Sequence, residues 1–267
     1  MFSSLSSVEL GLLLFAIILG ATLLGWFAGR RLQRHESLRE PFGVIQAALL
    51  GLVALILALG LTMAVGRYDA RRTAVVDDAN AIGTTYLRAQ TLAEPVRTRS
   101  LALLRDYTDA VIAYSEAVPG TREQRLAVAQ AERLQRQLWR LAGEALAEAP
   151  TDSAPRLYVE TLNDMIDMET VRISALGNRV PSAVLLVEIV GAAVGLGLLA
   201  LYLAVLSRGV VTVVLAAAFV TVLLLVTFDL DRPRRGFIRV PDTPLVALRA
   251  SMALPPAASA PPRTPTP

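Results

Sequence analysis

One segment near the middle of the chain carries charged and small side chains in alternation at the spacing of a helix. Taking every third or fourth residue gives the stripe Arg67, Arg71, Ala74, Asp78, Ala81, Thr85 and Arg88. Small residues allow a second helix to approach closely, and the charged residues can form ion pairs with that helix. The chemistry available to this stripe is electrostatic: it can join two helices, or it can attract small ions.

A later segment supplies the expected partners of the stripe, namely Glu160, Asn163, Asp164, Asp167, Glu169 and Arg172. Carboxylates and guanidinium groups at helix spacing usually form a structural ion-pair network, and we favour that interpretation. The alternative is an arginine-lined vestibule that attracts anions toward a pore. The candidate residues for either role are Arg67, Arg71, Asp78, Arg88, Asp164 and Asp167.

Two polar residues stand inside long apolar runs. Glu188 is a functional candidate, because an ionised carboxylate is unfavourable within a membrane span, although its place near the interface also allows a hydrated carboxylate. Gln46 is expected to hydrogen-bond between helices rather than to line a pore. Small residues that suit close helix packing accompany them, at Gly51, Gly60, Gly191, Gly195 and Gly197.

Composition and motifs exclude several classes of function. The chain has no cysteine, and its single histidine, His35, lies in a short arginine-rich loop where a solvated residue is expected. Phosphate loops, dinucleotide-binding turns, metal-ligand spacings and nucleophile elbows are all missing from the sequence. A net charge of +3 is too small to indicate a nucleic-acid partner. We therefore predict no enzyme activity, no catalytic or metal-binding residues, no cofactor and no nucleic-acid binding.

Four long apolar runs must position the candidate residues. They cover Val8–Gly29, Phe42–Val65, Pro181–Leu206 and Val210–Leu230. At ~1.5 Å per residue, each run can cross a hydrocarbon core of ~30 Å as a helix. A mean hydropathy of +0.51 agrees with a membrane protein that also has a sizeable aqueous part. The chain is thus predicted to be an all-α integral membrane protein with four transmembrane helices and the lipid bilayer as its first partner.

The first apolar run has an alternative interpretation as a signal peptide. Its leading segment contains Glu9 and no arginine, and the run is longer than the ~7–15 apolar residues of a signal peptide. Trp26 followed by Arg30 and Arg31 is typical of a membrane interface. We therefore expect a retained first span.

The polar middle of the chain is predicted to form four helices. The first continues from span two to about Leu92, the second follows Pro95, the third begins after a capping box of Thr121 and Gln124, and the fourth covers about Arg156–Leu176. Short turns between them indicate an extramembrane four-helix bundle. The expected domains are a first transmembrane pair at 1–66, the bundle at 67–180, a second transmembrane pair at 181–230, and a polar, proline-rich tail at 231–267. The last part of the tail, Ser251–Pro267, is expected to be disordered.

Arginine placement is the guide to orientation in the inner (plasma) membrane. Four spans place both termini and the bundle on one side. Nine arginines near the span ends lie on that side and five on the other, which favours a cytoplasmic bundle; the first loop taken alone favours a periplasmic one. The nine are Arg67, Arg71, Arg72, Arg172, Arg179, Arg232, Arg234, Arg235 and Arg239, and the five are Arg30, Arg31, Arg34, Arg39 and Arg208.

Two motifs resemble the bacterial bestrophin-like family. One is the exit of span two, from Arg67-Tyr68 through Asp78-Ala79-Asn80-Ala81-Ile82-Gly83-Thr84 to Tyr86-Leu87-Arg88-Ala89; the other is Phe228-Asp229-Leu230-Asp231-Arg232-Pro233, followed by Arg235-Gly236. The resemblance covers about Phe42 to Pro244. It implies a relation to bestrophin anion channels, which are pentamers with four spans per subunit, a cytosolic helical domain between spans two and three, and a pore lined by span two. The chain matches neither the acidic calcium-binding cluster of animal bestrophins nor their pore motif, so no pore residue is carried over.

Two functional hypotheses follow. The first is a homo-oligomeric membrane protein that conducts a small anion, with span two nearest the axis. The second is a non-conducting sensor or scaffold whose bundle binds a ligand or a partner. The number of subunits distinguishes them, since a pore around an axis requires a closed ring.

Overall fold

The computed structural model describes residues 6–32, 39–206, 209–232 and 236–258. Within these ranges the chain is helical and contains no strand. The helices are α1 (Ser7–Leu32), α2 (Arg39–Ala89), α3 (Val96–Glu116), α4 (Arg122–Glu148), α5 (Ser153–Gly177), α6 (Ser182–Val205), α7 (Val210–Leu230) and α8 (Thr243–Ser251).

The chain divides into two compact units. The first comprises Met1–Asp69 with Asn178–Arg239, and the second comprises Ala70–Gly177 with Val240–Pro267. Helix α2 contributes residues to both units, because the span continues into the polar segment without a break. We name them the membrane unit and the bundle unit.

The membrane unit contains the apolar helices. Four helices of the described chain are long and apolar enough to span a membrane, which confirms the prediction of four apolar spans. Large aliphatic side chains from α1, α2, α6 and α7 share one core, which includes Leu10, Leu14, Ile18, Leu57, Ile189, Leu196 and Leu224. The predicted limits of spans one, three and four differ from the ends of α1, α6 and α7 by three residues or fewer. Helix α2 continues beyond the predicted end of span two to Ala89, as the sequence also predicts.

Helix α6 is the centre of the membrane unit. A side-chain carbon added at Gly25 of α1 would overlap the Gly197 carbonyl, and one added at Gly29 would overlap the Leu201 carbonyl and lie 2.8 Å from the Ala204 Cβ. The register Gly25–Gly197 and Gly29–Leu201 shows that α1 and α6 run parallel. Glycines spaced by four residues allow such close backbone approach in membrane helices.

Helix α2 runs antiparallel to α6 along the length of the span. Gly43 lies against Tyr202, Gly195 lies against Leu50 and Val53, and Gly60 lies against Glu188. The predicted packing glycines Gly60, Gly191 and Gly195 thus face the partner helix. Gly51 has no atom of another segment within 4 Å of the position where its Cβ would be.

The bundle unit buries a separate core. It includes Val75, Ile82, Leu104, Leu138 and Leu162 from helices α2 to α5. The predicted cap of α4 is present: the Thr121 side chain accepts a hydrogen bond from the Gln124 backbone N–H (3.4 Å), and the Gln124 side chain accepts one from the Gly120 N–H (2.8 Å).

Helix α8 lies in a segment that the sequence analysis assigns to a polar tail. Leu245 and Met252 are buried in the bundle core. The Met252 carbonyl accepts hydrogen bonds from the Tyr86 hydroxyl (3.1 Å) and from Arg105 (3.0 Å). Arg249 forms an ion pair with Asp109 at 2.6 Å. Residues 240–258 therefore pack as part of the bundle unit. The predicted disorder from Ser251 onward does not hold for residues 251–258, because Met252 is buried in the core and Ala258 hydrogen-bonds to Gln90 and Arg97.

Several predictions concern residues outside the described ranges. These are the solvated loop position of His35, the loop arginines Arg34, Arg208, Arg234 and Arg235, the side chain of Arg39, and residues 259–267 of the segment Ser251–Pro267 that is predicted to be disordered. They stay predictions.

Candidate functional site

The most unusual polar contact lies in the bundle unit, where α2 and α5 bring two charged side chains into the core. Asp78 follows the buried positions Ala74 and Val75 on α2, and its side chain is 0% exposed. The Arg172 Nε lies 2.7 Å from the Asp78 Oδ2, and the Arg172 side chain is 1% exposed. Neither carboxylate oxygen accepts a well-aligned hydrogen bond from the described residues, so the contact is a close ion pair with incomplete hydrogen bonding.

Helix α3 holds the other side of Arg172. The Arg172 Nη1 donates a hydrogen bond to the Ser115 hydroxyl at 2.8 Å. The guanidinium carbon lies 5.1 Å from the centre of the Tyr114 ring, which is cation–π geometry. These contacts fix the guanidinium between α2, α3 and α5.

A second carboxylate belongs to the same cluster. The Gln135 side chain of α4 hydrogen-bonds to the Glu169 carboxylate of α5, and it also lies 3.3 Å from the Tyr107 hydroxyl of α3. Glu169 and Arg172 are three residues apart on α5, so both point into the bundle. We call Asp78, Tyr107, Gln135, Glu169 and Arg172 the bundle cluster; all four long helices of the unit contribute to it.

Burial controls protonation in the bundle cluster. It raises the pKa of Asp78 to about 6, against the opposing attraction of Arg172 and with a further increase from the negative charge of Glu169. Burial also raises the pKa of Glu169, although Arg172 and the hydrogen bond from Gln135 favour its ionised form. The pKa of Tyr107 is far above its usual range for the same reason. The arrangement thus holds two buried carboxylates near one buried cation.

The predicted site residues fall into different environments. Asp78 lies in the bundle cluster with Arg172, which the sequence analysis names on the partner helix. Arg71 is buried and donates a hydrogen bond from Nε to the Ala175 carbonyl at 3.3 Å, whereas Arg67 is half-buried. The exposed residues, outside the bundle cluster, are Arg88, Asp164 and Asp167. Asp167 accepts a hydrogen bond from Asn163 on the surface.

Both intramembrane polar candidates are buried in the membrane unit. Gln46 is 8% exposed and Glu188 is 1% exposed. The Glu188 carboxyl lies over Gly60, since a Cβ added at Gly60 would overlap it. A hydrated Glu188, the alternative left open by the sequence, does not fit this burial.

Two acidic residues that the sequence analysis leaves without a role organise the end of α7. The Asp229 carboxylate accepts hydrogen bonds from the Ser7 hydroxyl (2.7 Å) and from the backbone N–H groups of Phe237 (3.0 Å) and Ile238 (2.8 Å). Asp231 accepts one from the Val180 N–H at 2.7 Å. Asp229 and Asp231 both belong to the second family motif. That motif was the only signal in the sequence that could have identified them as structurally important. They join the ends of α1, α6 and α7.

The bundle unit also has an open cleft of about 390 Å³ beside α4. Its lining residues are Tyr114, Gln124, Arg125, Val128, Ala129 and Glu132. Tyr114 lines this cleft and also stacks on Arg172, so the cleft adjoins the bundle cluster. Among the described residues, no three His, Cys, Asp or Glu side chains are placed to hold a metal ion.

Comparison with known proteins gives a family and a fold. A sequence model of the Bestrophin-like domain matches residues 11–245. A variant of a bacterial bestrophin homologue from Klebsiella pneumoniae superimposes with a TM-score of 0.65 at 16% identity, covering 90% of this chain and 97% of that chain.

Two further structures agree. Another structure of that homologue gives a TM-score of 0.62 at 16% identity, covering 88% and 94% of the two chains. A variant described as a membrane protein gives 0.63 at 15% identity, covering 92% and 97%. At such identities the similarity shows the fold alone. The search of curated proteins found no match.

Proposed function

The chain belongs to the bestrophin-like family, and from this premise we propose that it forms a homo-oligomeric channel for small anions in the bacterial inner membrane. The observation that carries the proposal is the family match over residues 11–245, together with four helices long enough to span a bilayer. The proposal includes no enzymatic step and no cofactor.

The free face of α2 supports an assembly around this helix. Within the span, one face of α2 packs on α6, while several large apolar side chains stay exposed in a single copy, namely Val44, Ile45, Leu52, Leu55 and Leu59. Copies arranged around an axis would cover part of this face. Aliphatic side chains do not bind ions, so selectivity would come from charges at the ends of the span.

Arg67 is the residue best placed to attract anions. It follows the apolar part of α2 directly and is half-buried, whereas Arg71, one turn later, is committed to the interior of the bundle unit. A guanidinium group near a pore entrance raises the local anion concentration, and salt screens this effect.

The first experiment is the mass of the complex in mild detergent. A closed ring of several subunits is expected, because a pore beside α2 requires one. A stable monomer or dimer would contradict the channel.

The second experiment is chloride flux from liposomes at low ionic strength. Unmodified protein should release chloride, Arg67→Gln should reduce the flux several-fold, and Arg72→Gln, which changes an exposed arginine of the same helix, should not. A correctly assembled but silent protein, or equal losses in both variants, would overturn the proposed anion pathway.

The cleft beside α4 favours the second candidate function, a membrane-anchored sensor or scaffold. It combines a guanidinium, a carboxylate, an amide and an aromatic ring, which suit a small polar ligand. A monomer or dimer in detergent together with a ligand that raises the melting temperature, and a loss of that effect in Arg125→Ala, would support this function in place of conduction.

A further inference from the structure

Glu188 is a carboxyl group enclosed within the membrane unit. It lies six residues after Ser182, the first residue of α6, which places it ~9 Å along the helix. Its side chain is 1% exposed, and the carboxyl lies on the backbone of α2 at Gly60. Glycine at this position leaves the space that the carboxyl fills.

The carboxyl has no polar partner in the described part of the chain. Neither of its oxygens has a hydrogen-bond partner there, and no described ion pair includes it. The nearest charged side chain along α2 is Arg67, seven residues beyond Gly60 and thus ~10 Å along the helix axis. The other residues of the membrane unit whose charged or titratable side chains the structure describes are Glu9, Arg30, Arg31, Tyr68, Asp69, Arg179, Tyr202, Asp229, Asp231, Arg232 and Arg239.

An ionised carboxylate is strongly unfavourable in such surroundings, because it is almost fully buried and no cation or hydrogen-bond donor of the described residues compensates for its lost hydration. Neutralisation requires a bound proton or a bound metal ion. A metal ion would need several oxygen ligands, and the described residues place no group of acidic or histidine side chains to supply them. A proton needs only one carboxylate oxygen.

We propose that Glu188 is an intramembrane proton-binding site, at which a proton is held between α6 and the Gly60 backbone of α2. The proton is the ligand, and the neutral carboxylic acid is the form that packs at Gly60. Loss of the proton would favour movement of the carboxylate away from Gly60 toward water. The site requires the four helices to lie in a bilayer, and it does not depend on whether the protein conducts anions.

Infrared spectroscopy of the protein in lipid vesicles tests the site directly. A protonated carboxylic acid has a C=O stretch that is separate from the carboxylate bands. The spectrum of the unmodified protein minus that of Glu188→Gln should contain one acid band at neutral pH, and the band should disappear at high pH. Asp78 and Glu169 are present in both proteins, so their bands cancel in the difference.

A matched pair of glycine variants tests the position. In Gly60→Ala the new methyl group occupies the place of the carboxyl, so the acid band at neutral pH should be lost. Gly51→Ala adds a methyl group to the same helix where no other segment lies within 4 Å, and the band should remain. Both variants retain Glu188. They therefore show whether the protonated carboxyl lies at Gly60 even if Glu188→Gln does not fold.

Three results would overturn the proposal. The first is a difference spectrum with only carboxylate bands at neutral pH. The second is an acid band that survives in Gly60→Ala. The third is a carboxylate band that shifts when sodium replaces a bulky organic cation, which would identify a metal-ion site in place of a proton site. Chloride flux plays no part in these outcomes, so they are independent of the channel proposal.

Discussion

The Arg172 guanidinium forms an ion pair with Asp78 in the interior of the bundle unit, and it also acts electrostatically on the nearby Glu169 carboxylate. Arg172 favours the ionised forms of both Asp78 and Glu169, while burial opposes them. In an isolated buried ion pair, loss of either partner leaves one uncompensated charge. Here the partners are unequal, because removal of Asp78 leaves Arg172 beside Glu169, whereas removal of Arg172 leaves two carboxylates without their cation.

We therefore expect an asymmetric response to substitution. Arg172→Met keeps an apolar stem but should lower the free energy of unfolding by ~3–5 kcal/mol at neutral pH. Asp78→Asn should change it by no more than ~1 kcal/mol, since burial opposes the charge of Asp78 more strongly than Arg172 favours it. Thermal unfolding in mild detergent measures both. Asp167→Asn, an exposed position, is the control and should stay within ~0.5 kcal/mol. Equal losses for Arg172→Met and Asp78→Asn would show that Glu169 does not compensate Arg172 when Asp78 is neutral.

The protonation of Asp78 predicts how stability depends on pH. Its pKa is about 6 in the folded protein, against 3.8 for an ordinary aspartate, so between these values the folded state binds more protons than the unfolded state. The free energy of unfolding then falls as pH rises from 3.8 to 6, by up to about 3 kcal/mol for this residue, and levels off above 6.

The measurement is the melting temperature of the bundle between pH 7 and pH 5. The unmodified protein should gain stability on acidification, and Asp78→Asn should gain less. Glu169→Gln provides a second comparison, because the pKa of Glu169 is also raised. A profile that is identical in the unmodified protein and in Asp78→Asn would show that Asp78 titrates normally.

Helix periodicity explains which parts of the candidate site were predictable. The buried positions of α5 include Tyr158, Leu162, Met165, Glu169 and Arg172, which follow steps of three and four residues. Asp164 and Asp167 lie off this series and face solvent. If the buried face of α5 is extended from Tyr158 in steps of three and four residues, Glu169 and Arg172 fall on that face and Asp164 and Asp167 do not. Charge alone cannot tell the buried residues from the exposed ones, since all four residues are charged.

Close packing of α1 on α6 gives a prediction for the membrane helices. Gly25→Ala should lower stability by ~1–3 kcal/mol, because the new methyl group overlaps the Gly197 carbonyl and forces the two helices apart. Gly20→Ala is the matched control on the same helix, where a Cβ meets no other segment within 4 Å; it should be neutral or stabilise by up to ~1 kcal/mol. Melting in mild detergent compares them, and a neutral Gly25→Ala would refute the tight contact.

On the scale of the whole molecule, the sequence predicted the family, the four apolar spans and the helical character of the rest. Long apolar runs and motifs are local signals, so they can be read without a structure. Helix α8 could not be predicted from such local signals. It has nine residues, lies in a proline-rich region, and depends for its order on contacts with residues far away in sequence, such as Asp109.

The orientation in the membrane is a prediction for the whole chain. Since Gln90 and Arg97 hydrogen-bond to Ala258, a reporter fused after Pro267 should lie on the same side as the bundle. The arginine distribution predicts a cytoplasmic phenotype for this fusion and a periplasmic phenotype for a reporter inserted at residues 34–37. Reversed phenotypes would place the bundle in the periplasm and favour the sensor function.

The position of α8 in the chain has a consequence for biosynthesis. Its contacts with Tyr86, Arg105 and Asp109 close loops of more than 100 residues that contain both α6 and α7. A ribosome has therefore already produced the last two membrane spans before the bundle can bury Leu245 and Met252. Contacts between residues far apart in sequence generally form more slowly than contacts within neighbouring helices. The bundle unit can therefore be completed only after both membrane helices α6 and α7 have been synthesised. A chain that ends before residue 243 lacks Leu245 and Met252, so part of its bundle core stays exposed and can be recognised by chaperones and proteases.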